Sequence, residues 1–121
     1  MDLELQKTLF KLFEALEFPF YEGVFDVPFP YGTLTYTTVD RLNTKTSKGI
    51  EVMYQLNLFS DYNGTSEVKQ MTSEVVLLLE KPFNVGEKKC ALDSWNMRIQ
   101  REDHIQHAIL ECIFKLYMKK K

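Results

Sequence analysis

Near the start of the chain, apolar residues recur at helical spacing. Leu5, Leu9, Leu12, Phe13 and Leu16 stack on one face, while Gln6, Lys7, Lys11 and Glu14 lie largely away from it. This predicts a first helix from about Asp2 to Glu17. Pro19 ends it, because proline has no N–H and disfavours helical backbone at Phe18. Residues 18–31 are rich in proline and aromatics, and Pro28 and Pro30 force extended backbone at Val27 and Phe29. A short extended piece near Tyr21–Phe25 and then a rigid turn are expected there. Beyond Gly32, a strand over about Thr33–Val39 is predicted from its β-branched and aromatic residues.

Asp40–Gly49 is polar and without periodicity, which reads as a hairpin loop. Ile50–Ser60 then alternates cleanly. Val52, Tyr54, Leu56 and Leu58 share one face, and Glu51, Met53, Gln55, Asn57 and Phe59 share the other. Asp61-Tyr62-Asn63-Gly64 is a turn, and Thr65 or Ser66 can cap a second helix striped by Val68, Met71, Val75, Leu78 and Leu79. Pro82 stops it. Residues 91–100 alternate again, with Trp95, Met97 and Ile99 on one face, and Arg101–His104 turns the chain back.

Ile105–Met118 admits two periods. A helix stripe runs through Ile105, Ala108, Ile109, Cys112, Ile113 and Leu116. At period two, Ala108, Leu110, Cys112, Phe114, Leu116 and Met118 make an unbroken apolar face. The short turn after a clear strand favours the strand. The predicted fold is α+β: a mostly antiparallel sheet of about four to five strands with two helices packed on one face. The order is α-β-β-α-β-β, with an optional short strand after the first helix.

A chain of 121 residues fits one domain, and its 45% hydrophobic and 26% charged residues exclude disorder. The formal net charge of −2 argues against a dedicated nucleic-acid binder, and the one basic run is Lys119-Lys120-Lys121, read as a solvated tail. Cys90 and Cys112 are too few for a disulfide framework and lack the spacing of a zinc site, so they are expected as reduced, buried thiols. No apolar run reaches the ~20 residues that span a bilayer, and the N-terminus lacks signal-peptide character. Synthesis in a reducing cytoplasm is expected.

Candidate chemistry is sparse. There is no G-x-S-x-G elbow, no phosphate-binding loop and no dinucleotide fingerprint. His104 and His107 are three apart, so on a strand they point to opposite faces and cannot share a metal ion. No catalytic residue, metal ligand or cofactor is predicted. What remains is surplus apolar surface: Met53, Phe59, Ile105, Ile109, Ile113 and Tyr117 fall on the sheet face that the helices do not need. An open antiparallel sheet is normally polar on that side, so this face reads as an interaction surface. The competing reading is that the Phe18–Tyr31 segment folds over it within the monomer.

Tyr21-Glu22-Gly23-Val24, then Pro28-Phe29-Pro30-Tyr31-Gly32-Thr33-Leu34, resembles the opening of the tail terminator (tail completion, tail-to-head joining) proteins of siphophages. Gly49-Ile50-Glu51, Gln55-Leu56-Asn57-Leu58-Phe59-Ser60 and His107-Ala108-Ile109-Leu110 follow in the order of that family's later elements. The resemblance spans Leu3 to Tyr117, and the Lys-rich end departs from it. It implies a non-enzymatic virion protein that closes into a hexameric ring, caps the tail tube, stops its polymerisation and docks to the head connector. DNA would pass through the hole. On that reading the loop residues Arg41, Asn43, Lys45 and Lys48 are candidates for the tube or connector contact. Met53, Phe59, Ile109, Ile113 and Tyr117 are candidates for the subunit interface. Two rival classes are a protein-binding adaptor unrelated to phage and a small enzyme using His104 and His107.

Overall fold

The period-two face of Ile105–Met118 decides the architecture, because a strand so apolar on one side has to lie in the middle of a covered sheet. The computed structural model describes residues 3–22, 27–43 and 48–118. Among these, two helices, α1 (Leu3–Phe13) and α2 (Ser66–Glu80), accompany six strands. The strands are β1 (Phe20–Tyr21), β2 (Tyr31–Asn43), β3 (Lys48–Ser60), β4 (Phe83–Val85), β5 (Lys88–Glu102) and β6 (Ile105–Met118). All six join one curled, half-barrel sheet in the order β1-β2-β3-β6-β5-β4.

The expected sheet is corrected in three respects. There are six strands rather than four or five, the chain order is α-β-β-β-α-β-β-β, and the sheet is mixed because β1 runs parallel to β2. The added strands are two and three residues long. Segments that short carry no readable alternation, and they exist because a neighbouring backbone is there to pair with. In this parallel pair Phe20 lies beside Gly32 and Tyr21 beside Thr33.

Three element bounds also differ. The first helix ends at Phe13, not Glu17, and the chain tightens through Glu14 N–H to Lys11 O, Ala15 N–H to Leu12 O and Leu16 N–H to Phe13 O bonds. That early stop brings the Phe13 and Phe20 rings into a stack with centroids 4.2 Å apart, with Phe18 5.7 Å from Phe20. An aromatic cluster therefore decides where the helix ends, ahead of Pro19. Secondly, β2 and β3 reach much further into the polar stretch than expected, as far as the Asn43–Lys48 pair. Ladder pairing extends the hairpin through residues whose composition reads as loop. Thirdly, β5 is longer at both ends than the 91–100 alternation indicated, spanning Lys88–Glu102.

The centre of the sheet follows from one register. β3 and β6 pair from Gly49–Tyr117 to Ser60–Gln106, so Val52 sits beside Phe114, Tyr54 beside Cys112 and Leu56 beside Leu110. All six of these side chains are essentially inaccessible. α2 lies on β3, β6 and β5 through Val68, Met71, Val75, Val76 and Leu79, and α1 adds Leu5, Leu9 and Phe13 against α2 and β4. Phe114 is edge-on to both Tyr54 and Phe83. Two hairpin corners need backbone that most side chains avoid: Gly86 (φ 60) between β4 and β5, and Asp103 (φ 55) between β5 and β6. At Gly32 a close approach, not φ, is the constraint, since a Cβ would lie 2.7 Å from the Phe20 ring.

The thiols sit in this core. Cys90 and Cys112 are both buried, and burial pushes the Cys112 thiol up to about 12.

Phe114→Ala is expected to cost about 3–5 kcal/mol, while Leu77→Ala on the outer side of α2 stays within about 0.5 kcal/mol. Urea unfolding of the two variants, with midpoints compared at constant slope, checks this. The thiols are expected to react with an aromatic disulfide reagent only on unfolding, so the time course of colour release at neutral pH should follow global opening.

Candidate functional site

The helices cover one face of the sheet, and the odd-numbered positions of β3 and β6 make up the other. Its rungs can be taken in order. Glu51 faces Lys115, Met53 faces Ile113, Gln55 faces Glu111, Asn57 faces Ile109 and Phe59 faces His107. β5 extends the rungs with Ser94 beside Ile113, Asn96 beside Glu111, Arg98 beside Ile109 and Gln100 beside His107. Only the Met53–Ile113 rung is apolar on both strands; the others are polar or mixed, so no single uninterrupted apolar patch forms. Two ion pairs tie the polar rungs: Arg98 to Glu111 at 3.4 Å and Lys115 to Asp93 at 3.3 Å. Both are solvated, so neither adds much stability.

The five interface candidates all lie on this face. Met53, Ile113 and Tyr117 are half-buried by their neighbours. Ile109 is already 5% exposed, between Asn57 and Arg98 on the adjoining strands. The Phe59 ring is sandwiched, with Tyr31 stacked on one side at 4.8 Å and His107 on the other at 4.4 Å. Phe29 and Tyr21 continue this ladder through Tyr31, at 5.4 Å and 6.3 Å. The segment leading into β2 thus covers one corner of the face within the protomer and leaves the Met53–Ile113 and Tyr117 rungs half-open. The most exposed large hydrophobics among the described residues lie elsewhere: Leu77 at 66%, Tyr62 at 54% and Trp95 at 45%.

Of the loop candidates, Arg41 and Asn43 belong to the end of β2, and Lys48 opens β3 directly opposite Asn43. Lys45 lies outside the described residues. The structure therefore places Arg41, Asn43 and Lys48 together at one tip of the sheet, about ten residues up β3 from Phe59.

A polar cluster that sequence reasoning did not single out sits between the apolar rungs. The Asn57 Oδ1 accepts from Gln55 Nε2 at 3.0 Å and pairs with His107 Nε2 at 2.8 Å. With Asn57 as acceptor, Nε2 carries the ring proton. The His107 Nδ1 is then a buried acceptor with no hydrogen-bond partner. Burial lowers the His107 pKa below the usual histidine range, Glu102 partly opposes this, and Arg98 adds to it. The signal was faint: two polar residues at alternate positions of an otherwise apolar strand, with their partner fifty residues away. His104 is exposed in the β5–β6 turn, on a different part of the surface from the His107 cluster. Among the described residues no group of three or more His, Cys, Asp or Glu is arranged to hold a metal ion.

Comparison with known proteins supports the fold. A chain from the virion of a native gene transfer agent particle superposes with a TM-score of 0.60, at 15% identity, over 98% of this chain and 89% of its own length. A second solved chain gives a TM-score of 0.61 at 12% identity, covering 98% of this chain and 94% of that one. No family model matches the chain, and neither does any curated protein. None of the described helices is long and apolar enough to cross a membrane.

Protonating His107 places a charge and a new N–H where nothing accepts it. With the folded pKa below the unfolded one, the native state binds fewer protons. Stability is therefore full above about pH 6.5 and is lost as pH falls through the folded value. The urea midpoint should begin to drop as pH falls below about 6.5, the unfolded histidine value, and the drop should shrink in His107→Gln.

Proposed function

We propose that this chain is a structural protein of a long phage-like tail, forming a ring that caps the tail tube, ends its polymerisation and provides the joining surface to the head connector. The observation that carries this reading is the whole-length fold likeness to a chain of a gene transfer agent virion. At 15% identity that likeness speaks for the fold, and the role is added by the ordered resemblance to tail terminator proteins between Leu3 and Tyr117. The helix-free sheet face supplies a surface suited to self-assembly, with Met53, Ile113 and Tyr117 half-open between polar rungs.

In this reading six copies close into a ring by a heterologous contact, one patch of each chain against a different patch of the next. Met53, Phe59, Ile109, Ile113 and Tyr117 belong to the face that supports it. The tip carrying Arg41, Asn43 and Lys48, together with Lys45, contacts the tube protein or the connector, where basic groups favour acidic partners and steer docking. DNA passes through the opening, and the weak net negative charge of −2 suits a conduit that must not hold phosphates. No cofactor or membrane enters the scheme, and the protein is a virion component assembled in the host bacterial cytoplasm.

Electron microscopy of particles made without this protein tests the reading. Tubes of uncontrolled length, unattached to heads, are expected. Tails of normal, uniform length joined to heads would contradict it. An Arg41→Glu, Lys48→Glu variant is expected to keep tail length and to lower the fraction of heads carrying tails.

A further inference from the structure

The sheet has two open edges. β1 covers β2 only at Gly32 and Thr33, and β4 covers β5 only from Lys88 to Cys90. Beyond them, residues 34–43 of β2 and 91–102 of β5 have no described strand on their outer side. An uncovered edge presents a row of unpaired N–H and C=O groups, which is a template for another strand. The β5 edge also carries an exposed aromatic. Trp95 is 45% exposed, beside the half-buried Met97 and Ile99 on the helix side of the sheet.

Two bulges make these edges match one another. The register shifts by one residue between Tyr36 and Thr38 on β2, and between Leu92 and Ser94 on β5. The rung of Leu34 runs through Leu56 and Leu110 to Met97, and the rung of Asp40 runs through Glu51 and Lys115 to Ala91. Between these two rungs each inner strand uses six residues, 51–56 and 110–115, whereas each outer strand uses seven, 34–40 and 91–97. β2 and β5 also run in opposite directions, because the three pairings between them are all antiparallel. Laid edge to edge at one level, they pair residue for residue without a bulge. Leu34 then meets Met97, Tyr36 meets Trp95 and Val39 meets Leu92, and the three intervening pairs set a Thr opposite Asn, Ser or Asp. Apolar opposite apolar and polar opposite polar is the favoured arrangement of cross-strand neighbours.

We propose that the β5 edge of one copy pairs antiparallel with the β2 edge of a second copy of this chain, residues 91–97 against residues 34–40. The two edges are different, so the contact is heterologous and repeats from copy to copy. A ring closed in this way leaves neither edge open, whereas β5 against β5 would leave both β2 edges exposed. The joint rests on the self-assembly part of the proposed function, to which it adds a register and a direction.

Disulfide trapping in the full chain tests this. A variant with Thr35→Cys and Asn96→Cys is mildly oxidised, both in purified particles and as purified protein at about 1 mM, where even a weak contact is populated. Bonds are assigned by digestion and mass. Within one copy these two positions share a rung three strand spacings apart, about 14 Å, which is too far for a disulfide. A bond between them therefore joins two copies. A ladder of oligomers linked in this way is expected, about tenfold above the Thr35→Cys, Gln100→Cys control, which is four residues out of register. Asp40→Cys with Ala91→Cys should also link, which fixes the antiparallel direction. No ladder in either sample, or equal linking in the control, would overturn the proposal. So would dimers of Thr35→Cys alone or Asn96→Cys alone, or a bond from position 96 to another virion protein, since a different strand would then occupy the edge. The outcome is separable from that of the tail-length experiment: uncontrolled tails without the ladder remove this joint alone, and a ladder with normal tails removes the tail role alone.

Discussion

The β3–β6 register is the constraint on which the rest of the molecule depends. Twelve consecutive rungs from Gly49–Tyr117 to Ser60–Gln106 are locked together. Because side chains alternate, a slip of one residue would exchange every core residue for a surface one. In the observed register Val52, Tyr54, Leu56, Leu58, Ala108, Leu110, Cys112 and Phe114 all meet the helices. The same register sends Met53, Asn57, Phe59, His107, Ile109 and Ile113 to the side where no helix lies. Core and helix-free face are two consequences of one pairing, and neither can be altered by moving the strands without destroying the other.

That pairing also explains what could be read from the residues alone. The alternation of Ile50–Ser60 and the period-two face of Ile105–Met118 are long, and tertiary contacts do not compete with them, so both strands were legible. The stripe of α2 was legible for the same reason. β4 was not, because three residues have no period and their pairing depends on distant backbone; β1 was expected only as an optional short strand near Tyr21–Phe25, and its place at Phe20–Tyr21 and its parallel pairing with β2 left no signal for the same reason. The length of the β2–β3 hairpin was missed because Asp40–Gly49 looks like loop by composition, while the ladder that pairs Asp40–Asn43 with Lys48–Glu51 is a property of two strands together. The end of α1 was misplaced because Phe13, Phe18 and Phe20 attract one another across a turn, which a rule about proline does not capture.

The candidate surface was legible as a list of residues and not as an environment. Met53, Phe59, Ile109, Ile113 and Tyr117 do share the helix-free face. Their exposure was less predictable: Phe59 is enclosed between Tyr31 and His107, and Ile109 is sealed between its neighbours. The Gln55–Asn57–His107 cluster exists only because the register brings positions from two strands together, and so it left no motif. Among the described residues the most exposed large hydrophobic proved to be Leu77 on the helix layer, where a helical stripe looks complete without it. The face that remains is of mixed character, one apolar rung at Met53–Ile113 among polar and mixed ones, which suits a surface that is solvated before assembly and covered after it.

Carbene footprinting of the isolated protein and of the same protein in purified tailed particles, read residue by residue at Met53, Ile113 and Tyr117, tests whether assembly covers this face. The account predicts strong labelling of these three in the isolated chain and marked protection in the particle, with Tyr62 on the β3–α2 turn serving as a reference position. Equal labelling in both states would mean that the helix-free face stays open to solvent, and the assembly role assigned to it would be wrong.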